Sequence, residues 1–153
     1  LGFGLCALLN FWVKDKTDRS EKFDIHKEKT PEFEAYRYNE TYIKTILGED
    51  VYCYHRIKKF NGINTAFIVD VYPLTKQNFE LAVKKVYEKV EDIDLIAYFG
   101  HLPFKPINMF KVPDRYKPKN TFMAGKILNS DKINKDIFDV KHWRVNLSNF
   151  DWI

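Results

Sequence analysis

Glycine is scarce in this chain of 153 residues, which contains only six. None of the six lies between Val69 and Val90, where an apolar run passes through a proline turn into an amphipathic helix. Glycine is the residue that lets a backbone approach a phosphate group closely at the start of a helix. Its absence here removes the glycine-rich phosphate turn from this strand-to-helix corner.

Cysteine is scarce as well. The two cysteines, Cys6 and Cys53, lie far apart among apolar residues, so we expect packed thiols rather than a disulfide framework. The chain has no CxxC or His-x-His spacing, and we expect no metal site. This cysteine usage is typical of a reducing compartment and favours a cytoplasmic location.

Long hydrophobic runs are also missing. The apolar start, LGFGLCALLNFWV, ends after 13 residues at Lys14, whereas a membrane helix needs about 20. We therefore predict no membrane span and interpret the run as a buried first strand or helix, with a truncated membrane helix or signal-peptide remnant as the alternative. The length suits a single domain over residues 1–153, in which residues 1–29 are an apolar start and charged linker or the remnant of a preceding domain.

Neither sign of charge dominates the chain. There are 25 basic and 21 acidic side chains, for a net charge of +4, and the two signs are interleaved almost everywhere. This balance argues against a nucleic-acid partner, although RYKPKNTF at 115–122 does combine basic and aromatic residues. A small basic excess mildly favours an anionic small ligand such as a phosphorylated cofactor.

Helix signals flank a β-rich centre. Pro31, in PEFEAYRYNE, suits the first turn of a helix. Three β-rich runs over about residues 41–72, separated by GED and by Asn61-Gly62, predict an antiparallel meander. Thr75 is suited to cap the helix that follows, in which apolar residues recur with a 3.6-residue period.

The second half of the chain predicts one buried strand and a closing pair. The run DLIAYF at 94–99 is suited to a central strand packed on both faces, and the helix before it makes it parallel to the preceding strand. A short helix or irregular turn at 103–112 precedes two closing strands, TFMAGKIL and KHWRVNLSNFDWI. We therefore predict an α+β fold with a mixed, largely antiparallel sheet and flanking helices.

This element order resembles that of the GNAT family of acyltransferases over about residues 30 to 153. The chain is most similar to GNAT-like proteins found with polysaccharide and cell-surface biosynthesis genes. In those proteins an aromatic-Arg-Tyr element precedes the meander, a strand with an Asp leads to the long helix, and the chain ends in Trp followed by closely spaced acids. The corresponding stretches here are Tyr36-Arg37-Tyr38, IVDVYP at 68–73 and WRVNLSNFD at 143–151.

The resemblance implies acetyl-CoA or another acyl-CoA as co-substrate. In the family, a kinked strand and a turn of the form Arg/Gln-x-x-Gly-x-Gly/Ala hold its pyrophosphate. Here the pattern departs, because a motif that starts at Gln77 has Glu80 at the first glycine position, and one that starts a residue earlier has Phe79 there. A carboxylate facing a diphosphate is an unfavourable like-charge contact. The implied cofactor-binding residues are Val71, Tyr72, Gln77, Asn78 and Phe79.

Amine acetylation needs a base, donors for the thioester oxyanion and an acid for the departing thiolate. By residue type and position, the candidates are His101, Tyr98 and Tyr116. His101 follows DLIAYF, at the strand end that faces ligand clefts in open sheets, and Tyr116 lies on the loop PDRYKP. The simpler interpretations are a turn residue for His101 and a packed histidine for His55 in the meander.

Two functions remain open. The first is an acyl-CoA-dependent N-acyltransferase for a small-molecule amine, which the resemblance narrows to an amino sugar or a cell-surface precursor. The second is a catalytically degenerate GNAT-like domain that serves as the binding or structural half of a larger protein, beside a preceding GNAT-like domain. A fold by itself does not decide between them.

Overall fold

The computed structural model describes residues 9–21, 23, 25–60, 62–113, 115, 128 and 137–149. Residues 9–11 are helical, and the elements whose bounds lie within the described residues are two helices, four strands and two 3-10 turns. In chain order they are α1 (Pro31–Arg37), β1 (Ile43–Gly48), β2 (Val51–Phe60), β3 (Ile63–Tyr72), α2 (Lys76–Lys89), β4 (Leu95–Tyr98) and the 3-10 turns Val140–His142 and Leu147–Asn149.

The four strands form one mixed sheet in the order β1-β2-β3-β4. The first three are antiparallel neighbours, and β4 runs parallel to β3 after the α2 crossover. The predicted meander, the parallel junction and the α+β class are confirmed. Gly62 lies in the β2–β3 turn with φ of 83°, a left-handed conformation in which glycine carries no steric penalty.

Two predictions about strands are wrong for the described residues. β4 is the last strand of this sheet rather than a central one, and its first residue, Leu95, is 50% exposed. Residues 140–149 form two 3-10 turns in place of a closing strand. The reason is local: the Asn146 side chain accepts hydrogen bonds from the Ser148 amide (3.0 Å) and hydroxyl (2.5 Å), which folds the backbone into a turn. The predicted strand TFMAGKIL lies outside the described residues.

β3 is irregular at the point where it leaves β4. Its register with β2 shifts between Tyr54, opposite Asp70, and His55, opposite Ile68, so that Val69 is an extra residue in a β-bulge. β3 pairs with β4 only from Thr65 to Ile68, and then continues to Tyr72 paired with β2 alone. The two strands therefore diverge, and at the divergence the last residues of β3 have no strand partner on their β4 side among the described residues.

The core lies between α2 and one face of the sheet. Thr75 caps α2, as predicted, by accepting a hydrogen bond from the Asn78 amide (3.2 Å). The helix buries Phe79, Val83 and Val86 on its inner side. These side chains pack with sheet residues that include Cys53, Ala66, Ile68 and Val71.

His55 is the one histidine in the buried set of the described chain, with 1% of its surface exposed. Neither ring nitrogen has a hydrogen-bond partner among the described residues. Burial, together with the charge of Lys89, lowers the pKa of His55 to about 4. The ring is therefore neutral in the folded protein at neutral pH, and charging it in the core is unfavourable.

This burial predicts an acid-sensitive stability. In the unfolded chain His55 takes up a proton near pH 6.5, but in the fold only near pH 4, so its contribution is complete above pH 6.5 and falls by about 3 kcal/mol as the pH drops toward 4. The free energy of unfolding, measured with urea across this pH range, should vary less with pH in His55→Leu than in the wild type. The exposed His26→Gln is the matched control and should retain the wild-type profile. Equal slopes for His55→Leu and the wild type would contradict the prediction.

Candidate functional site

An acidic side chain lies in the interior where β3 leaves β4. Asp70 is 1% exposed and follows directly after the bulge at Val69. Its carboxylate accepts hydrogen bonds from four donors in different parts of the chain. They are the Lys29 ammonium, the Tyr38 hydroxyl (2.9 Å), the Arg144 guanidinium (2.9 Å) and the Asn146 amide (2.8 Å).

The charges of this cluster are mutually dependent. Burial alone would raise the pKa of Asp70, but the positive charges of Lys29 and Arg144 hold it below its usual value. Burial lowers the pKa of Lys29, and Asp70 partly restores it. Burial and then the Asp70 charge raise the pKa of Tyr38. At neutral pH Asp70 is therefore an ionised acceptor and Tyr38 a protonated donor.

Arg144 extends the cluster in two directions. Its guanidinium forms an ion pair with Glu21 (2.7 Å), which belongs to the segment before α1. It also donates a hydrogen bond to the Val71 carbonyl on β3. A backbone acceptor on β3 beyond its pairing with β4 is thus satisfied by an arginine side chain.

The segment that carries Arg144 contacts both sides of the strand divergence. Asn146 forms an isolated antiparallel bridge with Gly100, which follows β4, and the His101 amide donates to the Val145 carbonyl (2.8 Å). Arg144 and Asn146 reach Asp70 on the β3 side. Residues 143–149 therefore occupy the space between the diverging strands, and we call them the closing segment.

Little free volume remains beside Asp70. A cavity of about 10 Å³ is lined by Lys27, Lys29, Asp70, Arg144, Asn146, Ser148 and Asn149. By this measure the space is about that of one water molecule. The closed cluster has no room for an organic substrate.

A second carboxylate lies on the same face of the sheet. Glu34 of α1 accepts hydrogen bonds from the hydroxyls of Tyr52 and Tyr54 and from the Lys44 ammonium (3.1 Å). The Tyr54 ring stacks on the Tyr38 ring with 3.7 Å between the ring centres, and this contact joins the Glu34 group to the Asp70 cluster. Burial and the hydrogen bonds to Glu34 raise the pKa of both Tyr52 and Tyr54, so these hydroxyls remain protonated donors.

The start of α2 is covered by a preceding segment. Asn78 is fully buried; its side-chain oxygen accepts from the Asp18 amide (2.8 Å), and its side-chain nitrogen donates to the carbonyls of Asp18 (2.5 Å) and Pro73 (2.9 Å). Hydrogen bonds from Ser20, chiefly from its backbone amide, lower the pKa of Asp18. The backbone of Asp18 therefore covers the start of α2, while its ionised carboxylate is bonded to Ser20.

The predicted cofactor-binding residues occupy different environments. Val71 is buried with its carbonyl bonded by Arg144, and Phe79 belongs to the core. Tyr72 packs against the Lys29 ammonium, 4.8 Å from the ring centre, and Gln77 is half-buried on the first turn of α2. Asn78 holds Asp18, as described above. The assignment of these five residues to a cofactor stays a prediction.

The predicted catalytic residues are not assembled into one described cluster. The Tyr98 hydroxyl is buried without a hydrogen-bond partner in the described part of the chain, and burial raises its pKa. Its ring meets Phe79 edge-on at 5.0 Å. His101 is half-buried and is tied to the closing segment through its backbone amide. Tyr116 lies outside the described residues, so the catalytic roles stay predictions.

The sequence interpretation missed Asp70, Lys29 and Arg144 as site residues. Asp70 carried a signal, because an acid within the apolar run FIVDVY must find cationic or hydrogen-bonding partners if the strand is buried. Lys29 and Arg144 carried none, since the 41 and 74 residues that separate them from Asp70 are brought together only by folding.

Comparisons with protein families, curated proteins and solved structures produced no match. None of the described helices is long and apolar enough to cross a membrane. Within the same residues, no group of three or more His, Cys, Asp and Glu side chains is arranged to hold a metal ion.

Removal of the Asp70 charge should strongly destabilise the fold. Asp70→Asn leaves the buried Lys29 without its paired anion and leaves Arg144 with Glu21 alone, and the loss of one partner from a buried pair typically costs about 3–5 kcal/mol. Glu49→Gln is the matched control: Glu49 is 92% exposed in its pair with Arg19, and such pairs contribute about 0–1 kcal/mol. Urea unfolding at pH 7 measures both. Equal losses for the two variants would contradict the buried network.

The closing segment should also depend on Gly100. A Cβ at this position would lie 2.5 Å from the Val145 carbonyl oxygen and 2.9 Å from the Asn146 Cα, so Gly100→Ala should displace the segment. Hydrogen exchange at the His101 amide should then accelerate by roughly tenfold or more. Gly62→Ala, whose Cβ meets no atom within 4 Å, should leave this amide protected. An unchanged exchange rate in Gly100→Ala would contradict the close contact between Gly100 and the closing segment.

Proposed function

We propose that this chain is a GNAT-like domain without acyl-transfer activity, which serves as the binding or structural half of a larger protein. One observation carries the proposal. The closing segment occupies the divergence between β3 and the residues after β4, and Arg144 bonds the Val71 carbonyl there. In the family that the sequence resembles, this divergence is where the acyl-CoA would extend between the strands.

Opening this space would break the buried ion network. Arg144 pairs with both Asp70 and Glu21, and Asn146 also bonds Asp70. If the closing segment withdrew, Asp70 would lose two of its four donors while it remained beside the buried Lys29. Removal of one partner from a buried pair costs several kcal/mol. This cost exceeds the binding free energy of a weakly bound thioester.

The helix start offers little to a diphosphate. An anion site of this kind uses free amides, a closely approaching backbone and the helix dipole. Here Asn78 binds the backbone of Asp18, so this segment of chain covers the helix start. Glu80 points toward another loop, where it accepts a hydrogen bond from the Ile107 amide (2.8 Å).

The available side chains are also unsuited to the chemistry. Asp70 is ionised but surrounded by four donors, so it is a poor base for an incoming ammonium. The buried Tyr98 hydroxyl has a raised pKa and lies against the core ring of Phe79. A general acid must reach the leaving thiolate, and this hydroxyl faces the interior.

An acyl-CoA-dependent N-acyltransferase is the second candidate. It is favoured by the bulge at Val69 and by the divergence of β3 from a parallel β4, which match the kinked strand that the resemblance implies. The substrate would be an amine, on an amino sugar or cell-surface precursor by the same resemblance. This function would require the closing segment to withdraw before acetyl-CoA binds.

Titration calorimetry with acetyl-CoA and desulfo-CoA distinguishes the two candidates. We expect no saturable binding by the wild-type chain, because its strand divergence and its helix start are both occupied. Saturable micromolar binding of both ligands would overturn the non-catalytic proposal. In that case Gln77→Glu, which adds negative charge on the first turn of α2, should weaken binding, whereas Lys59→Glu, near the far end of β2, should not.

A further inference from the structure

Two segments of the chain that are distant in sequence meet on α2. The Asn108 side chain donates to the Asn10 side chain (2.8 Å) and to the Glu80 carbonyl (2.9 Å), and both asparagines are buried. The Ile107 amide is bonded to the Glu80 carboxylate. The residues around Asn10 and those around Asn108 are therefore anchored side by side on α2.

Both segments present large apolar side chains to solvent beside this anchor. We call the group the aromatic patch; its members are Phe11 (82% exposed), Trp12 (71%), Ile107 (39%), Phe110 (66%) and Val112 (52%). The rings of Phe11 and Trp12 pack edge-on, with 6.3 Å between their centres, and so form one continuous apolar surface. Single exposed apolar residues are ordinary, but a group of this kind marks an interaction surface.

The charges that flank the patch have one predominant sign. Four exposed lysines adjoin it in sequence, and residues 102–113 contain no acid, although Asp114 and Arg115 follow. Asp15 is the acid closest to Trp12 in sequence, and Lys84 (3.1 Å) and Lys85 (3.8 Å) pair with it. Glu80 is buried and pairs with Lys76. The four lysines are Lys14, Lys16, Lys105 and Lys111.

We propose that the aromatic patch docks the domain onto the surface of an anionic lipid membrane. Trp and Phe are favoured at the headgroup level, where an apolar ring is buried without crossing the bilayer. Lysines beside such rings pair with anionic headgroups while their aliphatic stems cover apolar surface. Protein interfaces are instead depleted in Lys, so the lysine-rich border favours a lipid partner over a protein one.

The proposal predicts both an apolar and an electrostatic dependence. Each lysine near an anionic surface contributes about a fivefold gain in partition coefficient, so two together contribute about 30-fold. Binding should weaken as salt rises, because the Debye length falls to about 3 Å at 1 M ionic strength. Loss of the aromatic rings should weaken binding to any membrane, independently of its charge.

Vesicle flotation of the full chain tests the proposal, with phosphatidylglycerol–phosphatidylcholine vesicles compared with pure phosphatidylcholine. We expect flotation with the anionic vesicles, a loss at high salt, and strong reduction in Trp12→Ser/Phe110→Ser. Lys105→Gln/Lys111→Gln should lower the partition coefficient about 30-fold. All four side chains are exposed, so these variants should fold normally.

Matched controls carry equivalent changes elsewhere on the surface. Ile46→Ser removes an apolar side chain that is 61% exposed on β1, and Lys58→Gln/Lys59→Gln removes two exposed charges on β2. Both should float like the wild type. Failure of the wild type to bind anionic vesicles, or equal losses in patch and control variants, would overturn the proposal. So would self-association of the wild type that only the patch variants abolish, because a second copy would then cover the patch.

Discussion

The buried charge of Asp70 is the constraint on which the rest of the described structure depends. An ionised carboxylate in the interior is tolerated only when cations and hydrogen-bond donors surround it. Its donors come from three separate parts of the chain: the segment before α1, the end of α1, and the closing segment. Asp70 thus joins to β3 several pieces of chain that lie far from it in the sequence.

The same network decides what the strand divergence is available for. The bulge and the parallel junction produce a gap that resembles a cofactor site, yet satisfaction of Asp70 brings Arg144 and Asn146 into that gap. Arg144 also completes the hydrogen bonding of the β3 backbone at Val71. The same residues therefore fill the gap and compensate the charge of Asp70, which is why we favour a non-catalytic role.

Local patterns in the sequence predicted most of the described elements. The meander, the Thr75 cap and the parallel β4 follow from hydrophobic period, turn residues and chain direction, and all are confirmed. The position of β4 at the end of the described sheet was not predictable, because an apolar run of this length is compatible with a central or an outer strand. The turn at residues 146–149 was missed, since side-chain bonds within it outweigh β-propensity.

The sequence by itself determined the meander, the start of α2 and the absence of glycine between β3 and α2, because turn residues, capping residues and hydrophobic periodicity act locally. The acid at position 70, within an apolar run, was a signal for buried partners that the sequence interpretation missed. Only the tertiary structure decided which residues those partners are, and that they fill the strand divergence. The physical reason is that a buried charge can be satisfied by any suitable donor that the fold delivers, and 74 residues separate Asp70 from Arg144.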